Sequence, residues 1–178
     1  VAFMKAYHEL VLKSVPPAGG TIHRNNGDGH LISFGTLDEH PDLSDLPNVS
    51  EELALVEIRR KQQYFDKIIE CVSEIIKQAQ NISHQCGLNV PIRIAAGIDF
   101  GEIEIKFLGT EKGKRDVDLY GSTLIRATRL EAHSKIIWER FQNSFGLLML
   151  SPDSLSAIRY SNQIEIVSTV NAQIKDFP

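Results

Sequence analysis

With 178 residues, 42% of them hydrophobic and 24% charged, the chain has the composition of a soluble globular protein and enough length for one domain with a real core. Its formal net charge of −4 argues against a broad nucleic-acid surface. No apolar run reaches the ~18 residues that a membrane helix needs, and no signal-peptide pattern opens the chain.

The apolar residues Phe3, Ala6, Tyr7, Leu10 and Val11 recur at helical spacing, which predicts a helix over residues 2–12. Pro16-Pro17-Ala18-Gly19-Gly20 stops it. Residues 21–24 and 30–34 read as two short strands around Asn25-Asn26-Gly27-Asp28-Gly29, a strong hairpin signal. Residues 36–50 are polar, acidic and interrupted by prolines, as expected of a surface loop. Ser50-Glu51-Glu52 then opens a long amphipathic helix that Gly87 closes. Its expected buried stripe is Leu53, Val56, Phe65, Ile68, Ile69, Val72, Ile75, Ile76, Ala79 and Ile82.

Cys71 and Cys86 both fall in that helical stretch. At 1.5 Å rise per residue they stand roughly 22 Å apart, too far to pair. Two unpaired thiols fit a reducing compartment, so the cytoplasm is the expected location.

Strand signals follow at residues 91–98 and 102–108, joined by Asp99-Phe100-Gly101, and a third strand ends at Tyr120. A helix is predicted from Ser122 to about His133, with further helix through Trp138 and Phe141. Residues 147–150 read as a buried strand, 152–159 as a short helix and 164–167 as a last strand. Hairpins mixed with helices that cover one face predict an α+β sandwich.

The segment at residues 118–131 carries the chemistry. An acid, Asp118, precedes the strand end at Tyr120; Gly121 allows close backbone approach; Arg126 and Arg129 follow on the first turns of a helix. A planar, always-charged guanidinium grips phosphate oxygens well, so this rim suits a polyanionic ligand. Beside the hairpin at residues 22–30 it points to a nucleoside triphosphate.

Three separated motifs resemble class III nucleotidyl (adenylate and guanylate) cyclases, in the family's order. Residues 21–34, Thr-Ile-His-Arg-Asn-Asn-Gly-Asp-Gly-His-Leu-Ile-Ser-Phe, are similar to the metal-binding hairpin. Residues 93–102, with Gly97-Ile98-Asp99-Phe100-Gly101, look like the later Gly-Ile-x-x-Gly strand turn. Residues 118–131 resemble the Asp-x-x-Gly-x-x-x-Asn-x-Ala-x-Arg-Leu helix start.

The resemblance implies a ferredoxin-like sandwich with a mainly antiparallel sheet. It also implies attack of the ribose 3′-oxygen on the α-phosphorus, with release of pyrophosphate. Asp28 matches one of two carboxylates that hold two Mg²⁺ or Mn²⁺ ions. The other carboxylate should lie on a strand preceding residue 2, and that strand is expected upstream of residues 1–178. Arg129 matches the residue that stabilises charge on the α-phosphate, and Arg24 and Asp118 match the pair that reads the base. A homodimer with shared sites is implied, with Asp28 facing Arg129 of the partner copy; neither nucleic acid nor a membrane is an expected partner.

Two positions depart from the pattern. Ile125 stands where the family has its ribose-contacting Asn, with Arg126 or Lys175 as candidates to compensate. The Lys-containing phosphate segment is not recognisable near residues 166–175. Arg at position 24, longer than the Lys of adenylate cyclases, crowds a purine. The chain thus resembles the pyrimidine cyclases of bacterial anti-phage signalling, with UTP ahead of CTP. A purine cyclase and a cyclase-like module that binds nucleotide or dimerises without catalysis stay open. A histidine metal site at His23 and His30 is the weakest idea, because structural sites ordinarily need four ligands.

Overall fold

The computed structural model describes residues 2–36, 50–88, 90–108 and 116–158, with side chains left aside at 50–54, 107–108, 116–117 and 156–158. The predicted loop at 36–50 (apart from its end residues), the last strand at 164–167 and Lys175 lie outside the described residues. The chain divides into two compact units, Val1–Pro91 and Ile92–Pro178.

In the first unit, helix α1 (Ala2–Ser14) is followed by a single 3₁₀ turn over Pro16–Ala18. Strands β1 (Gly20–Asn26) and β2 (Gly29–Phe34) pair antiparallel. They run further than expected and narrow the loop to two residues, Gly27 and Asp28. Gly27 has φ 82°, the left-handed value that the first position of such a loop demands. Helix α2 (Ser50–Gln85) ends as expected, with Gly87 N–H donating to the His84 carbonyl and Leu88 N–H to the Ser83 carbonyl.

The core of this unit forms where α1 meets α2. Leu10, Val11 and Val15 are buried on one side; Phe65, Ile68, Cys71, Ile75 and Ala79 are buried on the other. Burying side chains of this size stabilises by about 1.5–3 kcal/mol each relative to leaving them in water. The expected stripe is corrected at its N-terminal end, where Val56 is exposed. Cys71 and Ser83 are buried on the stripe instead, because they fall three to four residues from other core positions.

In the second unit, β3 (Ile94–Ile98) pairs parallel with β6 (Gly146–Leu150), and β4 (Glu104–Leu108) pairs antiparallel with β5 (Asp116–Tyr120). Helix α3 (Ser122–Ile137) packs on β3 and β6, a 3₁₀ turn covers Trp138–Phe141, and α4 (Pro152–Ile158) follows β6. A Cβ at Gly97 would stand 2.0 Å from the Ala127 carbonyl oxygen and 2.6 Å from the Glu131 nitrogen, so only glycine admits the α3 backbone this close to β3. Ile98, Leu119, Leu130, Ile137 and Trp138 form the core of the unit. Helices with mainly antiparallel strand pairs make the fold α+β. Among the described residues no helix is long and apolar enough to cross a membrane.

Candidate functional site

Asp28 is at the tip of the β1–β2 hairpin and exposed, and Arg24 is exposed on β1. Burial and then the Asp28 charge push the Tyr7 hydroxyl above its ordinary pKa, which brings the carboxylate into the electrostatic range of α1.

Between α1 and the hairpin, His8 Nδ1 is 3.0 Å from His30 Nε2, and the Asn25 side-chain nitrogen is 3.4 Å from the same His8 atom. His30 Nδ1 is buried without a hydrogen-bond partner. A metal-ligating imidazole normally donates its second N–H to an acceptor, and that support is missing here. The pair is better read as a hydrogen bond that docks the hairpin on α1.

His23 does not join this pair. Its Nε2 is within hydrogen-bond distance of Ser33 Oγ, at 2.6 Å, and the Thr36 hydroxyl donates to the same oxygen. Burial lowers the His23 pKa below 6.5, which favours the neutral ring. The register shifts between Ile22 and Arg24, so His23 and Arg24 together oppose Leu31 in a β-bulge. The suggested His23–His30 site is not formed; His23 is paired with Ser33 and His30 with His8.

In the second unit, Asp118 is the middle residue of β5, two residues before the strand ends at Tyr120. Its Oδ1 accepts the Leu119 N–H at 3.0 Å, and the residue sits opposite Lys106 in the β4–β5 register. Lys106 Nζ stands 4.9 Å from the centre of the Tyr120 ring and 3.3 Å from Glu104 Oε2. Arg129 is half-buried on α3. Ile125, one turn earlier on the same helix face, is 50% exposed, so this apolar side chain is not spent on the core.

Arg126 has a different task from the compensating one suggested for it. Its Nε donates to Asp99 Oδ2 at 2.5 Å, and Nη2 lies 3.9 Å from Asp153 Oδ2. The Asp99 side chain is 0% exposed. Ser151 Oγ donates to Asp99 Oδ1, stands 2.9 Å from Ser154 Oγ and accepts the Ser154 N–H at 3.2 Å. This network ties β3, α3 and the start of α4 together. The sequence motif at residues 93–102 contains Asp99 and gives it no role. The Ser151-Pro152-Asp153-Ser154 run was the available signal, since serine before a first-turn proline is a helix N-cap pattern.

The residues matched to a metal site supply one carboxylate, Asp28. Among the described residues no group of three or more His, Cys, Asp or Glu could hold an ion. The described donors therefore do not complete a two-ion site.

No family model matches the sequence, and no curated protein matches it. The structure is similar to the crystal structure of the guanylyl cyclase Cya2, with a TM-score of 0.69 and 18% identity, over 98% of this chain and 73% of that one. At that identity the likeness carries the fold alone: this chain folds as the guanylyl cyclase Cya2 does.

Proposed function

We propose that the chain is the catalytic domain of a nucleotidyl cyclase that converts a nucleoside triphosphate into the 3′,5′-cyclic monophosphate and pyrophosphate. The observation that carries this reading is the fold, which is similar to that of a guanylyl cyclase, and the three matched groups support it. Asp28 caps a two-residue hairpin loop, and Asp118 and Arg129 flank the β5-to-α3 turn. In the reaction the 3′-hydroxyl gives up its proton to solvent, a bond forms from O3′ to the α-phosphorus, and the bond to the β-phosphate oxygen breaks. Arg129 stabilises the charge that gathers on the α-phosphate oxygens. Asp28 would be one ligand for Mg²⁺ or Mn²⁺, which would neutralise phosphate charge. Two copies assemble so that Asp28 of one serves the site to which the other brings Arg129. Two unpaired cysteines support a cytoplasmic location.

For the base, Arg24 donates and Asp118 accepts, and the length of Arg24 favours a single ring, UTP before CTP. One observation favours a purine instead: the similar structure is a guanylyl cyclase. The exposed Ile125 supports the third reading, a module that binds nucleotide or dimerises without turnover.

The test is incubation of the full-length protein with each of the four triphosphates and Mn²⁺, with chromatographic detection of cyclic product. UTP turnover ahead of the others is expected. Equal or faster turnover of ATP or GTP removes the pyrimidine assignment, and no product from any triphosphate removes catalysis.

A further inference from the structure

Strands β4 and β5 turn one row of side chains inward and one outward. Ile105 and Leu119 are register partners, and Leu119 is buried, so this pair faces the core. Alternation then puts the neighbouring pairs, Lys106 with Asp118 and Glu104 with Tyr120, together on the outer face. Side chains directly opposite in an antiparallel pair have Cβ atoms about 4.5–5.5 Å apart. The Lys106 and Asp118 side chains therefore rise from one spot, and both belong to the Ile92–Pro178 unit.

The Lys106 ammonium is placed without being sequestered. Its Nζ is 4.9 Å from the centre of the Tyr120 ring and 3.3 Å from Glu104 Oε2, while the side chain keeps 49% exposure. An exposed ion pair of this kind contributes little, so the ammonium can turn to a ligand. The Tyr120 ring, itself exposed, holds the charge near the end of β5 on the face that carries Asp118. Asp118 Oδ1 accepts the Leu119 N–H, and the two oxygens of a carboxylate can accept from more than one donor.

We propose that Lys106 is a base-reading residue, paired with Asp118 so that the two read an acceptor and a donor on neighbouring atoms of the base edge. The inference rests on the nucleotidyl cyclase reading above and deepens its base assignment by naming the donor beside Asp118 on the same sheet face. An ammonium only donates and a carboxylate only accepts, so the polarity of this pair is fixed. Uracil meets it with a carbonyl oxygen and the adjoining N3–H. Reversing the charge at position 106 puts two acceptors side by side. Among the four bases guanine alone answers with two neighbouring donors, at N1 and N2.

The experiment uses the full-length protein and has two arms. In the first, kcat/KM for UTP, CTP, ATP and GTP is measured in Lys106→Arg, Lys106→Met and Lys106→Glu, with melting curves to confirm folding. Lys106→Arg, which still only donates, keeps the ranking of the unaltered protein. Lys106→Met is expected to shrink the ratio of best to worst triphosphate about tenfold, and Lys106→Glu to raise the GTP-to-UTP ratio about tenfold. Unchanged ratios in folded Lys106→Met overturn the role of Lys106 and leave the cyclase reading standing. An equal loss over all four triphosphates makes Lys106 a phosphate contact and overturns it too. In the second arm, calorimetry measures the affinity of the same proteins for each triphosphate with Ca²⁺. Affinities that change order with residue 106, in a protein that forms no cyclic product, uphold the base-reading role and remove the cyclase reading. Absence of binding by the unaltered protein overturns both.

Discussion

Arg126 donates its Nε–H to Asp99 across 2.5 Å, and the Asp99 side chain has no exposure to solvent. The arrangement is asymmetric, because Arg126 is 27% exposed and can turn outward when its partner is removed. Arg126→Ala instead strands a buried carboxylate, at a cost of about 3–5 kcal/mol. Asp99→Asn should cost less, since an amide oxygen can still accept from Ser151. A double-mutant cycle by denaturant unfolding checks this, with the two changes together expected to cost less than their sum.

Gly97→Ala is the second expectation. The added methyl meets main-chain atoms of α3 at 2.0 and 2.6 Å, which no rotamer can relieve. The loss of stability should reach or exceed the about 3 kcal/mol that ends the usual range for overpacking. A melting curve of the variant beside the unaltered protein measures it.

Arg129→Ala should lower kcat by about 100- to 1,000-fold with little change in KM, the pattern of a contact made mainly in the transition state. Asp28→Ala should be inactive as well. Mixing the two variant chains tests the shared site: activity should return at one of the two sites of each heterodimer, and no return argues against sharing.

Acid should weaken the first unit. Burial holds the folded His23 pKa below 6.5, so between those two values the unfolded chain binds more protons than the folded one. The stability contributed by the neutral ring is therefore complete above about 6.5 and is lost as pH falls toward the folded value. Melting temperatures measured from pH 7.5 down to 5 should fall, and His23→Gln should flatten that fall.

Much of this arrangement was legible in the sequence because its signals are local. The Asn-Asn-Gly-Asp-Gly hairpin, the Pro-Pro stop after α1 and the break between Tyr120 and Ser122 each report on neighbours in the chain. What escaped depends on distant partners. The parallel pairing of β3 with β6 joins Ile94 to Gly146, a relation that no local period contains. Asp99 read as part of a turn because Arg126 and Ser151 reach it from 27 and 52 residues away. The bulge at His23 was equally hidden, since alternation along β1 gives no warning that the register slips there. Val56 was placed in the core on spacing alone, yet spacing does not say where a long helix stops having a neighbour.

The near-contact at Gly97 sets how Arg129 can move. Strand and helix are in backbone register at that point, so α3 cannot slide along β3 without a collision. Any adjustment of the guanidinium during a reaction must come from side-chain torsions, or else carry Ile98, Asp99 and Ser151 with it as one lever.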